Sequence, residues 1–241
     1  MIEAKELTKN YPSSTAVRGV SLHVRPGEVV GVVGPHGAGK TTLLRMLAGL
    51  LAPSSGEANV AGVSTATQPF RIKSRVGFVS GDVPLPPHPT PRELLIQQGQ
   101  LQGLTEEVLE RRMEDLINTF EMERFAALPC ATLTAEQRQR TNLACAFMKD
   151  PAVLILDEPT LSLDMLSARF LHITIRAARE AGLSVLLSTS ALGDAESLCD
   201  RVVLLHRGTV LDQGTIPEVC GHIGVRSLSD AFLWHLPQLS A

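Results

Sequence analysis

Two groups of residues in this chain carry types and spacings suited to chemistry on a phosphate. The first is Gly34-Pro35-His36-Gly37-Ala38-Gly39-Lys40-Thr41-Thr42, set between the apolar run Val29–Val33 and the helical run Leu43–Leu50. Its glycines let successive backbone N–H groups curl around phosphate oxygens, and the helix that follows points its positive dipole end at the same anion. In such a loop the lysine, here Lys40, reaches the terminal phosphates and the hydroxyl of Thr41 ligates magnesium. A plain glycine-rich connection would also join a strand to a helix. It has no need of the lysine and hydroxyl at these offsets, so the pattern predicts nucleotide binding.

The second group, Asp157 and Glu158, ends the apolar run Ala152–Leu156 and precedes Pro159 and Thr160. Two carboxylates at the end of a buried strand are costly without a cation or a reacting water nearby. In phosphate-loop NTPases the first acid holds magnesium and the adjacent acid polarises the attacking water. The expected roles are therefore Asp157 for magnesium, with Thr41, and Glu158 for the general base. Capping of a following helix is the alternative reading.

The elements that must hold these groups follow from the pattern of apolar residues. Val29–Val33, Val153–Leu156, Val185–Leu187 and Val202–Leu205 are short and almost wholly apolar, as strands buried on both faces of a mainly parallel sheet should be. Arg75–Val79 reads as a further strand, while Ile2–Leu7, Val17–Val24 and Glu57–Val63 read as an antiparallel layer beside that core. Between these strands the spacing predicts helices at Arg92–Gln102, Thr105–Phe120 and Ala135–Met148. The fold class is thus α/β with an inserted helical subdomain. Five prolines in Gly81–Pro91 stiffen its entry, as a hinge, an interaction loop or a simple surface connection.

Composition narrows the partners. The 241 residues suffice for one large domain without a disulfide or metal staple. A net charge of −3 argues against nucleic acid as a ligand. Cys130, Cys145, Cys199 and Cys220 form no C-x-x-C pair, and Cys145 and Cys199 fall on apolar helical stretches, so all four read as reduced structural thiols of a cytosolic protein. No apolar run approaches the roughly 18 to 20 residues of a membrane span. A membrane role would therefore require separate polypeptides.

Gly34–Thr42, Leu154–Thr160 and the intervening Leu133-Thr134-Ala135-Glu136-Gln137-Arg138-Gln139-Arg140 stand in the order and spacing of an ATP-binding-cassette (ABC) subunit. The resemblance runs from the first strand to about Gly214. Val76–Asp82 and Leu228–Leu233 make it most similar to ATPases of the drug and sodium exporter type. It implies a RecA-like P-loop NTPase fold, with a cassette at 1–220 (core 1–80 and 149–220, helical subdomain 81–148) and a tail at 221–241. It further implies ATP and Mg2+ as ligands and a head-to-tail pair in which each ATP lies between one subunit's phosphate loop and the other's signature helix. Tyr11 matches the aromatic that stacks on adenine, and Val17 the apolar contact beside it. Packing of Tyr11 against a turn is the bland alternative. Asp164, in Leu161-Ser162-Leu163-Asp164, matches the acid of the interface loop and would also serve as N-cap of a helix Met165–Glu180.

Three departures accompany the resemblance. The signature Leu-Ser-Gly-Gly-Gln is here Leu133-Thr134-Ala135-Glu136-Gln137, which keeps a hydroxyl and the Gln but loses both glycines. Glu136 places a carboxylate where the partner's γ-phosphate should lie. Two unit charges about 4 Å apart at an effective dielectric near 20 repel by roughly 4 kcal/mol. Otherwise Glu136 faces water at a first-turn position that favours acids. Next, the switch histidine is replaced by Ser190, and losing one preorganised donor to a developing charge typically costs about 10² to 10³ in rate. Finally, the Gln that usually touches magnesium is replaced by Gly81, with Ser80 and Asp82 as the nearest polar substitutes. His36 replaces a common Asn and could offer a cation to the γ-phosphate or the partner's Glu136; that pairing would strengthen below about pH 6.5. Arg138 and Arg140 read as a solvated helix face.

These residues predict the ATP-binding subunit of a transporter, an exporter by its resemblance, at the cytoplasmic face of the membrane and bound to separate permease subunits. It would act as a homodimer or as a heterodimer with another cassette. Glu136, Ser190 and Gly81 favour slow hydrolysis and keep open a nucleotide-gated regulatory or structural subunit with little ATPase activity. A soluble ATPase acting on nucleic acid or ribosomes fits the acidic balance least.

Overall fold

A computed structural model describes residues 1–81, 84–161 and 163–236. Asp82 and Ser162 lie outside the described residues. In chain order the elements are β1 (Ile2–Tyr11), β2 (Ser14–Val24), β3 (Val29–Val33), α1 (Lys40–Leu47), β4 (Ser55–Val60), β5 (Val63–Ser64), α2 (Pro69–Lys73) and β6 (Val76–Ser80). There follow α3 (Pro91–Leu101), α4 (Glu106–Thr119), α5 (Ala135–Phe147), β7 (Val153–Asp157), α6 (Met165–Glu180), β8 (Ser184–Thr189) and α7 (Leu192–Leu198). The chain closes with β9 (Arg201–His206), β10 (Thr209–Gly214), α8 (Ile216–Ile223) and α9 (Leu228–His235).

The two sheets separate as the apolar patterning demands. β3, β7 and β8 are buried at every residue and lie inside a six-stranded sheet of order β10-β9-β3-β8-β7-β6, parallel except for the β9–β10 hairpin. The alternating strands form the second, antiparallel sheet, of order β2-β1-β4-β5. Between the sheets α1 buries Leu43, Leu44, Met46 and Leu47 against Ile2, Leu7 and Val20 on one side and Val30, Val32 and Ile155 on the other. The helices α3 to α5 lie between β6 and β7 and share a core with α6 on the opposite face of the large sheet.

Registers at the carboxyl edge of that sheet align Val33 with Thr189, and Asp157 with both Ser188 and Ser80. Every residue expected to act on phosphate near the acids therefore leaves the sheet at one edge, which is where ligands of open α/β sheets bind.

Several local features differ from the sequence expectation. The expected strand Glu57–Val63 is split, because Ala61 and Gly62 both take positive φ (51° and 77°) and turn the chain into the β4–β5 hairpin. Cys199 closes α7 instead of lying within it. Its thiol fills the space above Gly31, where a Cβ would come within 2.6 Å of the sulfur, and burial pushes its pKa up to about 12. Cys145 is likewise pushed up to about 12 by burial, so both are inert packing groups. The tail boundary at 220/221 falls inside α8, and α9 buries Leu228 and Ala231 against Val33, Val202 and Leu204. Short amphipathic helices such as these carry too few turns to show periodicity.

Candidate functional site

β3 runs directly into the loop Gly34–Gly39, and α1 begins at Lys40. Two glycines are required by close approach: a Cβ on Gly34 would lie 2.1 Å from the Leu205 carbonyl oxygen, and one on Gly39 would lie 2.2 Å from that of Ala16. Gly37 is different, for a Cβ there meets nothing within 4 Å and only its φ of 79° calls for glycine. The loop is braced from both sides. Gly34 N–H donates to the Thr189 carbonyl (3.3 Å), and Gly208, in the β9–β10 turn, donates to the Ala38 carbonyl (2.8 Å). Arg18 of β2 in turn donates to the Gly208 carbonyl (2.8 Å).

The acids are held as tightly. Asp157 is 3% exposed, and its Oδ1 accepts from Thr41 Oγ1 (3.1 Å) and Ser188 Oγ (2.7 Å). Ser188 Oγ also accepts from the Glu158 backbone N–H (2.9 Å), so one buried hydroxyl fixes both acids. Sequence reasoning passed over Ser188. The signal available was a hydroxyl directly after the apolar Val185–Leu187, which must find partners when buried.

Glu158 takes a left-handed backbone, φ 46°, unusual for a residue with a side chain. From there its Oε1 lies 2.9 Å from Lys40 Nζ, an ion pair. Its Oε2 accepts from the Ser190 N–H (3.1 Å) and Oγ (3.3 Å). The directed hydrogen bonds of Lys40, itself 5% exposed, go to the carbonyl oxygens of Gly34 (2.6 Å) and Pro35 (3.0 Å). The helix-cap alternative for Asp157 and Glu158 does not hold, since the next helix, α6, starts at Met165. That helix is capped by Asp164, whose carboxylate accepts from Ser167 N–H (2.8 Å) and is held below its ordinary pKa by that bond.

Gly81 has its own reason in the structure. Its N–H donates to the Asp157 carbonyl (3.0 Å), and a Cβ would come 2.8 Å from the Glu158 carbonyl oxygen. A longer side chain at this position would push against the backbone that carries the acids. Ser80 is buried and paired in register with Asp157.

A cavity of about 230 Å3 opens beside these groups, lined by Ala16, the loop from His36 to Thr42, Glu158 and Leu161. It is smaller than the roughly 300–1,000 Å3 of sites that enclose a whole ligand. Tyr11, the last residue of β1, is 42% exposed, with Lys9 Nζ 5.6 Å from its ring centroid. Val17 is not placed to touch a ligand: it is fully buried and packs toward Gly39 from beneath, and Ala16 faces the cavity in its stead. Alternation along β2 turns these two neighbours to opposite faces.

The signature residues lie apart from this cavity. Thr134 and Gln137 form a capping box on α5: Gln137 N–H donates to Thr134 Oγ1 (3.2 Å) and Thr134 N–H to Gln137 Oε1 (3.0 Å). Ala135 is exposed at the first turn. Glu136 accepts at Oε1 from Arg140 Nε (3.1 Å) and Nη2 (2.8 Å). Arg140 is therefore no solvated face. Its side chain is 13% exposed, pairs also with Glu121, donates to the Phe120 carbonyl (3.1 Å) and lies 4.0 Å from the Phe170 ring centroid. Arg138 likewise turns back to the Leu133 carbonyl. Glu136, Gln137 and Arg140 line a second cavity of about 380 Å3 that contains none of the phosphate-loop residues. One further link escaped the sequence reading: buried Gln139 donates to the Pro159 carbonyl (3.1 Å) and ties α5 to the segment following the acids.

A parallel sheet with a glycine loop, lysine and helix N-terminus at its carboxyl edge defines a P-loop NTPase core. The chain belongs to the ABC transporter family, whose model matches residues 17–161. It is 37% identical over 205 residues to the ABC transporter ATP-binding protein NatA of Bacillus subtilis (strain 168), covering 85% of this chain and 83% of that protein. It is 34% identical to the daunorubicin/doxorubicin resistance ATP-binding protein DrrA of Streptomyces peucetius, covering 92% and 68% respectively. Among solved structures, an ATP-binding subunit of an ABC transporter superposes with a TM-score of 0.89 at 30% identity, over 98% of this chain and 99% of that one. The dimeric post-hydrolysis state of an ATP-binding cassette bound to ADP and Pi superposes with a TM-score of 0.79 at 25% identity, over 89% and 98%.

Proposed function

We propose that this chain binds ATP with Mg2+, closes as a head-to-tail pair and hydrolyses the nucleotide slowly to drive separate membrane subunits in export. The observation that carries the reading is the linked set Thr41, Asp157, Ser188, Glu158, Lys40 and Ser190 beside the phosphate-sized cavity. The backbone N–H groups of Gly37 to Thr42 cradle the phosphates, and Lys40 supplies a cation to them. The Thr41 hydroxyl and the Asp157 carboxylate, hard oxygens 3.1 Å apart, fit a magnesium ion. Such an ion would neutralise charge on the phosphate oxygens. Glu158 accepts the proton of the attacking water, its Oε2 held in place by Ser190. Tyr11 stacks on the adenine, with Ala16 beneath the ribose side in the place assigned to Val17.

Pairing is supported by the separation of the signature residues from the cavity within one chain, and by the dimeric cassette to which the fold is similar. Thr134 to Gln137 then face the partner's ATP, with His36 and Asp164 at the same interface. The helical subdomain, residues 81–148, docks on the permease. A groove of about 480 Å3 between α3 and α4, floored by Ile96, Leu109 and Met113 and rimmed by Glu106 and Glu110, supports that role. Export is supported by the similarity to a drug-resistance ATP-binding protein. The working position is the cytoplasmic face of the membrane; no described helix is long and apolar enough to cross it.

A regulatory subunit that binds ATP without turning it over is the second reading, favoured by Glu136 and Ser190. Glu158→Gln decides between them. On the first reading turnover falls by about 10² to 10⁴ while ATP affinity is kept. Wild-type turnover at the level of Glu158→Gln, with the membrane subunits present, would establish the second.

A further inference from the structure

On the side of α2 away from its packing partner the chain presents an exposed aromatic ring with a lysine ammonium beside it. α2 is anchored through Ile72, which is fully buried, and it packs so closely on the end of α1 that a Cβ on Gly49 would lie 3.4 Å from Ile72 Cβ. Two residues along a helix correspond to about 200° of rotation. Phe70 is therefore driven to the opposite face, and it is 82% exposed. The ammonium of Lys73, one turn on, sits 5.2 Å from its ring centroid.

More positive charge lies on the same and the adjoining segment. Arg71 and Arg75 are exposed, and residues 58–81 contain no Asp or Glu, although the chain as a whole carries −3. The α5–β7 connection is pinned alongside by the bond from Ala152 N–H to the Arg75 carbonyl (2.9 Å), which brings up Lys149. Burial holds the Lys149 ammonium below its ordinary pKa against an opposing contribution from Cys145, and the charge of Lys73 acts in the same direction as burial. Its neighbour Asp150 is paired with Arg112 (2.8 Å). Arg71 donates to Gln68 Oε1 (2.6 Å) and Arg75 to the Ala61 carbonyl (3.1 Å), and among the described residues none of Arg71, Lys73, Arg75 and Lys149 forms an ion pair. An exposed aromatic beside such cations, in a protein that is acidic overall, complements a surface with phosphate groups outside and hydrocarbon within reach.

We propose that Phe70, Arg71, Lys73, Arg75 and Lys149 form a contact site for anionic phospholipid. The cations meet lipid phosphates, and Phe70 enters the boundary between headgroups and acyl chains. Each cation near such a surface contributes about fivefold in partition, and this attraction is screened by salt. The contact is shallow, reversible and independent of nucleotide.

Co-sedimentation of the full chain with phosphatidylcholine vesicles, with and without phosphatidylglycerol, tests this. The expected result is partition onto the phosphatidylglycerol vesicles alone, lost at high salt. Phe70→Ser should weaken it by about tenfold, and the Arg71→Ser/Lys73→Ser pair by about 25-fold. All three side chains are exposed, so unchanged melting temperatures are expected to accompany the loss. Equal partition onto neutral vesicles, or partition that survives both variants, would overturn the proposal. So would retention only on membranes that contain the permease, with the lipid vesicles leaving the chain in the supernatant; that outcome would assign the patch to an acidic protein segment.

Discussion

The phosphate loop and the signature helix, which we propose meet across a cassette pair, are stabilised in opposite ways. The loop is held by groups distant in sequence: Thr41 by Asp157, Lys40 by Glu158, Gly34 by Thr189 and Ala38 by Gly208. The first turn of α5 is satisfied by its own neighbours, Thr134 with Gln137 and Glu136 with Arg140, while Gln139 and Arg140 tie the next turn to Pro159, Glu121 and Phe170. A site braced across the whole sheet tolerates little change in residue type. A helix end satisfied from within can lose both signature glycines and still form, because the capping box and the i,i+4 pair supply what the helix needs. The contrast accounts for an altered signature beside an intact loop in one chain.

The largest effect should come from overfilling the braced half. Gly34→Ala drives a Cβ into the Leu205 carbonyl, backbone against backbone, and should cost about 3 kcal/mol or more together with nucleotide binding. Gly37→Ala, in open space three residues away, should cost only the left-handed conformational penalty of roughly 1–2 kcal/mol. Thermal melts with and without ATP read both. Equal losses at the two positions would remove the claim that the loop is set by packing against β9.

Changes at the signature helix should be smaller and coupled. Arg140→Ala strips Glu136, Glu121 and the Phe170 ring of their shared partner and should destabilise by about 2 kcal/mol. Glu136→Gly should leave stability within about 1 kcal/mol and strengthen ATP-dependent pairing by no more than about tenfold, because Arg140 already offsets part of the carboxylate's repulsion. A gain of a thousandfold in sedimentation would mean that Glu136 meets the phosphate as a bare charge.

Much of the fold was legible because strands buried on both faces leave continuous apolar runs and the phosphate loop demands its glycines in order. The helices from 91 to 147 and the cap at Asp164 fall within a residue or two of their expected positions. What escaped were relations no local pattern records. Ser188 is one hydroxyl among many until register sets it against Asp157. Arg140 reads as solvated until α6 brings Phe170 over it, and the alternation of β2 buries Val17 while it turns Ala16 to the cavity. Gly81 reads as a loss in sequence; in space it is where the Glu158 carbonyl leaves no room for a side chain.

The central claim is that the braced half binds ATP well while the altered half and Ser190 slow its hydrolysis. ATP affinity and turnover measured on the same preparation, with the membrane subunits present, test it most directly. The account predicts micromolar or tighter binding with turnover about 10² to 10³ below the 10 s⁻¹ typical of enzymes. Turnover near that typical rate, or binding too weak to saturate at millimolar ATP, would contradict it.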